Sequence, residues 1–201
     1  LAFGARYAFT YLGIALSFGF LIELMGLKTG WPFGTYKYDP SLGPQLFDVP
    51  LVVPFAWAMI AHPILCAARR VAGNWIFLYG GFGLMAYDLF LDPQMVTAGR
   101  WTWEVTGSHV PFTPEVPLSN AFGWLLSGMA LIAILHLALP RDRRKVSASF
   151  ITIDIFLIWT WFAGVVSNLF FFDRPGIAFI FGLTFGAILA PYIFSRWLGR
   201  P

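Results

Sequence analysis

The sequence predicts an all-α fold, a bundle of about six transmembrane helices in one integral membrane domain covering residues 1–201. Three observations predict it. First, 58% of the residues are hydrophobic and 11% are charged, with a mean hydropathy of +0.71. Second, the apolar residues form segments of about 20 residues, the length of a membrane-spanning helix. Third, these segments alternate with short basic links and with two long aromatic connections.

The first three apolar segments are residues 7–25, 50–68 and 75–92, and the last three are 120–139, 147–171 and 176–195. Two short links and the C-terminal tail all fall on the same side of such a bundle. They contain eight of the 13 Lys and Arg residues: Arg69, Arg70, Arg141, Arg143, Arg144, Lys145, Arg196 and Arg200. Because basic residues favour the inner side of a membrane, we expect this side, with the C-terminus, to be cytoplasmic in a prokaryotic cell (inner) membrane. The chain starts at Leu1 without an initiator Met, so we expect it to be trimmed there and allow for an upstream helix.

The two long connections, residues 26–49 and 93–119, lie on the opposite, non-cytoplasmic face. Both combine Trp, Tyr and Phe with frequent Gly and Pro. Trp and Tyr favour the headgroup layer, so these rings alone could form an interfacial belt. Gly and Pro favour defined turns. We therefore expect both connections to be structured and to form a cap over a cavity between the helices.

Acidic side chains inside or at the ends of the apolar segments are the strongest functional signal. A carboxylate at the centre of a membrane helix costs at least ~2.5 kcal/mol. Asp88 and Asp92 are four residues apart, so a continuous helix places them on one face, one turn of ~5.4 Å apart. Two carboxyl groups this close in a low dielectric are expected to share a proton. Alternatively, Asp92 ends the helix before Pro93 and Asp88 pairs with a Lys or Arg.

The remaining acids have different expected roles. Glu23 lies near the end of the first span, on the same side as Asp92, where it could join the same pocket or extend to the interface. Asp48 is expected to cap the second span. Asp173 is expected to pair with the adjacent Arg174. Asp154, nearer the cytoplasmic end of the fifth span, is left open.

Several other kinds of chemistry lack their residues. Three scattered histidines cannot supply the many ligands of a membrane di-iron oxygenase, and the single Cys66 rules out a disulfide within the chain and a Cys-based metal cluster. No phosphate loop, DDxxD motif or nucleophile elbow is present. The net charge of +3 gives no nucleic-acid footprint. Acids and aromatic rings remain, and these suit protonation of an alkene followed by stabilisation of the cation. No metal or other cofactor is expected.

A set of motifs resembles a known family. In chain order they are Glu23-Leu-Met-Gly, Thr29-Gly-Trp-Pro-Phe-Gly-Thr-Tyr-Lys-Tyr38, Leu42-Gly-Pro44, Val49-Pro50, Asp88, Asp92-Pro-Gln-Met95, Gly99-Arg-Trp-Thr-Trp103 and Pro117-Leu-Ser-Asn-Ala-Phe-Gly-Trp124. Together they closely resemble the carotenoid biosynthesis protein family of carotenoid 1,2-hydratases, which includes bisanhydrobacterioruberin hydratases. The resemblance covers roughly residues 20–130. Residues 106–117 depart from the shorter Gly-Tyr-Tyr-Gly-like stretch typical of the family, which leaves the exact carotenoid open.

The resemblance implies a cofactor-independent hydratase that adds water to the acyclic ψ-end of a carotenoid, giving a tertiary alcohol. It points to Glu23, Asp88 and Asp92 as the polar site, and we expect these three to be catalytic. The expected substrate-binding residues are Trp31, Tyr36, Tyr38, Trp101, Trp103, Asn120 and Trp124. The expected partners are the carotenoid, membrane lipid and other carotenoid-biosynthesis enzymes.

Two other functions stay open at this stage. A carotenoid end-group cyclase would form the same cation but exclude water. A non-catalytic carotenoid- or lipid-binding membrane subunit would need no acid chemistry. A transporter is less favoured, because no inverted repeat is detected in the sequence.

Overall fold

Six long helices confirm the predicted all-α bundle in the computed structural model, which describes residues 3–140 and 149–199. The helices are α1 (Ala5–Thr29), α2 (Val52–Val71), α3 (Ile76–Thr97), α4 (Leu118–Ala138), α5 (Ile151–Phe170) and α6 (Pro175–Ile193). One turn of π-helix, Phe194–Leu198, continues α6. Helices α1 and α3 end several residues beyond their predicted spans, since α1 continues past residue 25 to Thr29 and α3 past residue 92 to Thr97.

Within the described residues, α1, α2, α4, α5 and α6 are long and apolar enough to cross a membrane. These five helices support a multi-pass membrane protein. The 22-residue α3 contains three glycines, two tyrosines and two aspartates, which lower its hydropathy, so its span stays a prediction. The predicted basic cluster at Arg141, Arg143, Arg144 and Lys145 lies outside the described residues, as does Arg200.

Small residues set the spacing between neighbouring helices. On α3, a Cβ at Gly81 would lie 2.8 Å from the backbone oxygen of Leu125, and on α4 a Cβ at Gly128 would lie 3.0 Å from the Gly81 Cα. The two backbones therefore approach closely at this crossing, as small residues allow in membrane helices. Seven residues beyond Gly81 is Asp88, and eight residues before Gly128 is Asn120. Because α3 and α4 are antiparallel, this crossing brings both side chains to the same level.

The two long connections join above the helices, as predicted. Strand β1 (Tyr36–Tyr38) lies in the first connection and pairs with β4 (Trp101–Trp103) of the second in an antiparallel ribbon. The register places Tyr36 opposite Trp103 and Tyr38 opposite Trp101. Because side chains alternate along a strand, these four rings share one face, while Lys37 and Thr102 are exposed on the other.

Two hairpins complete the connections. Strand β2 (Gln45–Leu46) pairs with β3 (Val49–Pro50), and β5 (His109–Val110) pairs with β6 (Thr113–Pro117), which leads directly into α4. The turn of the first hairpin contains Phe47 and Asp48, both at positive φ. The predicted capping role of Asp48 is therefore wrong, since its carboxylate is exposed in the turn and pairs with Lys28 at 3.1 Å.

Two further ionic contacts tie α6 to neighbouring elements. In α5, buried Asp154 accepts a 2.6 Å hydrogen bond from the Tyr192 hydroxyl and pairs with Arg196 at 3.1 Å, so it links α5 to the end of α6. The predicted pairing of Asp173 with Arg174 is wrong. Arg174 instead contacts Glu115 at 2.6 Å, because it faces the β5–β6 hairpin at the start of α6.

Candidate active site

A cavity of about 210 Å³ lies at the junction of the ribbon with α1, α2, α3 and α4. Most of its walls are apolar or aromatic. Its polar groups are few, and they include three carboxyl groups, those of Glu23, Asp88 and Asp92. Each of these residues is only 2–3% exposed. A concave apolar pocket with a few convergent polar groups is typical of a small-molecule site.

Glu23 is held by three donors. Its Oε2 accepts hydrogen bonds from the hydroxyls of Tyr36 at 2.7 Å and Tyr38 at 2.8 Å, and its Oε1 accepts one from Trp57 Nε1 at 3.0 Å. All three donors are neutral groups. A buried carboxylate needs such partners to remain charged, and hydrogen bonds to charged groups are the stronger kind. The arrangement fixes the orientation of Glu23 at the cavity wall.

The helix stripe that contains Glu23 makes room for those donors. Gly19, Glu23 and Gly26 lie on the same buried face of α1. A Cβ at Gly26 would lie 2.6 Å from the Tyr36 hydroxyl, and one at Gly19 would lie 3.0 Å from the Trp57 Cβ. Glycine at these two positions therefore lets Tyr36 and Trp57 reach the carboxylate from opposite ends.

Asp88 and Asp92 form the predicted pair, one helical turn apart in α3. Asn120 Nδ2 donates to Asp88 Oδ2 at 2.8 Å and to Asp92 Oδ2 at 2.5 Å. Both carboxyl groups are nearly fully buried, and two negative charges this close in a low dielectric repel each other, so we expect the pair to share a proton. Asn120 can reach both carboxyl groups from α4, because the close α3–α4 crossing brings its side chain to the level of Asp88 and Asp92.

The alternative in which Asp92 ends the helix is wrong. The α3 helix continues through Pro93 to Thr97, and the Thr97 hydroxyl donates to the Pro93 carbonyl at 2.7 Å. Nor does Asp88 pair with a Lys or Arg among the salt bridges of the described residues. Asp92 Oδ1 instead accepts a hydrogen bond from Trp101 Nε1 at 3.2 Å, which connects the acid pair to the ribbon.

Aromatic rings form the roof and one wall. Tyr36, Tyr38, Trp101 and Trp103 all line the cavity from the ribbon. The hydrogen-bonded ring of Trp57 is stacked on that of Trp124, with centroids 4.0 Å apart and planes at 4°. The faces of such rings carry negative electrostatic potential and attract cations. Six of the seven predicted substrate-binding residues, all except Trp31, line the cavity.

Trp31 lies elsewhere. Its side chain is 60% exposed at the outer surface, and the residue is not part of the cavity wall. The turn after α1 instead buries the two residues that follow, Pro32 and Phe33. The predicted contact of Trp31 with the substrate is therefore not supported by its position, whereas Phe33 lines the cavity.

Sequence reasoning missed Trp57 as a site residue. A Trp inside an apolar span gives no signal distinct from the rest of the helix, although its indole N–H needs a partner when buried. The signal that could have indicated a partner such as Trp57 is the helix stripe formed by Gly19, Glu23 and Gly26. Small residues on both sides of a buried acid indicate that large side chains from other elements approach it.

The two tyrosines of the ribbon remain protonated donors over a wide pH range. Burial raises the pKa of Tyr36 and of Tyr38 above the ordinary value of 10.0, and the charge of Glu23 raises both further. A phenol whose pKa is raised keeps its proton to higher pH. Both hydroxyls therefore stay neutral hydrogen-bond donors to Glu23 at neutral and mildly alkaline pH.

The site combines two adjacent buried carboxyl groups, a third carboxyl group held by its own donors, and aromatic rings around an apolar space. Among the described residues, no group of three or more His, Cys, Asp and Glu side chains is arranged to hold a metal ion. Proton transfer to an apolar substrate and stabilisation of the resulting cation are within the chemical reach of these groups.

Comparison with known proteins places the chain in context. The profile of the family described as "Carotenoid biosynthesis protein" matches residues 1–189. A curated relative from Haloarcula japonica, named bisanhydrobacterioruberin hydratase, is 32% identical over 160 residues. That match covers 75% of this chain and 52% of the relative, so the chain spans about half the relative's length. No solved structure matches the chain.

Proposed function

The chain belongs to the carotenoid biosynthesis protein family, and we propose that it is a membrane enzyme that adds water to the terminal double bond of an acyclic carotenoid ψ-end. One observation carries the proposal, the convergence of Glu23, Asp88 and Asp92 on a single aromatic cavity. The hydratase name of the Haloarcula relative supports the reaction class. The enzyme acts in a prokaryotic cell membrane, with the ribbon on the outer face and the C-terminus in the cytoplasm.

The first step is protonation of the alkene by the acid pair. Asp92 accepts hydrogen bonds from Asn120 and Trp101, whereas the one donor to Asp88 among the described residues is Asn120. The extra donor favours the negative charge on Asp92, so we assign the proton to Asp88. This proton is transferred to the CH carbon of the terminal isopropylidene group, and the π electrons form the new C–H bond.

The second step is stabilisation of a tertiary cation on the neighbouring carbon. The rings of Tyr36, Tyr38, Trp101 and Trp103 line the cavity and can stabilise the cation with their faces, and the acid pair supplies negative charge. A desolvated cation–π contact is worth about 2 kcal/mol or more. A carboxylic acid is weak for protonating carbon, so preorganised electrostatics of this kind must lower the barrier.

The third step is capture of the cation by water. Glu23 is oriented by Tyr36, Tyr38 and Trp57, and its carboxylate accepts a proton from water as the oxygen attacks the cation. The C–O bond forms and the product is a tertiary alcohol. Asp88 has then lost one proton and Glu23 has gained one, so transfer of that proton back to Asp88 resets the site. No redox partner is required.

Expression in a lycopene-producing host tests the proposed reaction. We expect a pigment heavier than lycopene by one water. A new pigment of unchanged mass would instead identify an end-group cyclase, which uses the same cation. If the protein is present in the membrane and lycopene copurifies unaltered, a non-catalytic binding subunit is indicated and the hydratase proposal fails.

A further inference from the structure

The active-site cavity is too small for a whole carotenoid. An apolar cavity of about 150 Å³ holds a benzene-sized molecule, and the volume here is about 210 Å³. The cavity therefore accommodates the reacting end of the substrate and little more. If the proposed function is correct, most of the long polyene must lie outside the cavity. The exposed residues in the cavity wall indicate where the polyene leaves it.

One wall of the cavity reaches the lipid-facing surface. On α2, cavity residues Val52 and Met59 are each 51% exposed. They are seven residues apart with Ala56 between them, so all three lie on one helix face and extend along ~10 Å of the axis. The same cavity thus contains carboxyl groups that are 2–3% exposed and side chains that face the membrane.

The facing wall belongs to α3. Tyr87, Leu91 and Met95 line the cavity at intervals of four residues, which places them on one helix face next to the Asp88 and Asp92 face. The α2 and α3 helices are antiparallel neighbours joined by a short connection at residues 72–75. Val52 and Met95 therefore lie at the ribbon end, while Met59 and Tyr87 lie deeper.

We infer that the slot between α2 and α3, lined by Val52, Ala56, Met59, Tyr87, Leu91 and Met95, is a lateral portal through which the polyene enters from the bilayer and in which it remains while its end reacts. The occupant is the conjugated chain of the substrate itself. The apolar and thioether side chains match it, and the slot is continuous with the acid site. This inference about the portal rests on the proposed function.

The portal predicts that the reacting end of the carotenoid, and not its far end, determines substrate specificity. The enclosed cavity selects the acyclic end group, whereas groups beyond the slot lie in lipid and are not contacted. Acyclic carotenoids that share the reacting end but differ at the far end are expected to have kcat/KM values within about threefold of one another. A loss of tenfold or more on changing only the far end would overturn this division.

Photocrosslinking tests the portal without requiring turnover. A benzophenone amino acid replaces Met59, or as a control Phe55, which is 60% exposed on α2 but does not line the cavity. Irradiation with lycopene in liposomes is expected to give a protein–polyene adduct at position 59 at least five times more often than at 55. Equal labelling at both positions would overturn the portal, even if the protein proves to be a hydratase.

A kinetic test uses the same matched pair. Met59→Trp narrows the slot, so KM for a long carotenoid is expected to rise at least tenfold, while Phe55→Trp leaves it unchanged. A short acyclic isoprenoid with the same terminal group should be hydrated equally by both variants. Unchanged KM in Met59→Trp would contradict the portal. If no product forms with the unmodified protein, the hydratase proposal fails, and the crosslinking result still decides the portal.

Discussion

Asn120 Nδ2 lies 2.5 Å from Asp92 Oδ2, and this contact joins the start of α4 to the end of α3 inside the membrane bundle. The same nitrogen also donates to Asp88. An amide has two N–H groups and carries no charge, so it can donate hydrogen bonds to both carboxyl groups without neutralising a negative charge on either of them. Asn120 thus positions the acid pair rather than neutralising it.

Removal of this amide should impair catalysis more than folding. A hydrogen bond to a charged group contributes about 1.5–3 kcal/mol, which corresponds to roughly 10–100-fold in rate. We expect Asn120→Ala to lower kcat by this factor in pigment-conversion assays. The control is Asn168, also buried, whose amide donates to Gly164 of its own helix. Asn168→Ala should lower thermal stability and leave kcat per folded protein within about twofold; similar losses of kcat in both variants would contradict the positioning role.

Charge at Glu23 is expected to be essential. Glu23→Gln keeps the size of the side chain but cannot accept a proton from water, so kcat should fall about 10²–10⁴-fold, the usual contribution of a general base. Asp154 provides the matched control because it is an equally buried acid, 1% exposed, that contacts Tyr192 and Arg196 away from the cavity. Asp154→Asn should lower the melting temperature without abolishing turnover. Retained turnover in Glu23→Gln would exclude Glu23 as the base.

The ribbon tyrosines should affect rate independently of pH. Tyr36→Phe and Tyr38→Phe each remove one donor to Glu23, and we expect kcat/KM to fall roughly 10–100-fold in each. The pKa of both phenols is raised, so they stay protonated at pH values where an ordinary tyrosine would begin to ionise. Ionisation, which would remove the donor to Glu23, occurs only at higher pH. The ratio of wild-type to variant kcat/KM should therefore stay constant between about pH 6 and pH 9. A ratio that falls toward one as pH rises within that window would contradict the assignment.

A single methyl group at Gly26 should displace the Tyr36 hydroxyl. The Cβ of Gly26→Ala would lie 2.6 Å from that oxygen and 2.9 Å from Phe33 Cδ2. We expect at least a tenfold loss of kcat/KM, with the protein still folded. On the same helix, Gly13 has nothing within 4 Å of its would-be Cβ. Gly13→Ala should be fully active and stabilised by up to about 1 kcal/mol, the helix-propensity difference. Full activity in Gly26→Ala would show that the close contact is not required.

Local patterns were sufficient to identify the acid pair. Asp88 and Asp92 are four residues apart, and helical geometry alone places them together. Glu23 could be assigned to the same end because its span runs in the same direction as α3. The helix bundle followed from the length and apolarity of the segments, which depend on the bilayer rather than on tertiary detail.

Long-range pairing was beyond the reach of such patterns. The alternation of Tyr36-Lys37-Tyr38 and of Trp101-Thr102-Trp103 suits strands, but their register depends on contacts between distant parts of the chain. Trp31 looked equivalent to the other rings, although the turn after α1 directs it outward. Asp48 was misassigned because a two-residue hairpin turn, and not a helix start, determines its backbone conformation.

Isotope labelling tests the central claim most directly. Purified protein in liposomes converts an acyclic carotenoid in D₂O or in H₂¹⁸O, and the product is analysed by mass spectrometry and NMR. Acid-catalysed hydration predicts one deuterium on the carbon next to the tertiary alcohol carbon and a hydroxyl oxygen that comes from water, with both absent from Asp88→Asn. A hydroxyl oxygen derived from O₂, or product without carbon-bound deuterium, would contradict protonation by the buried carboxyl groups.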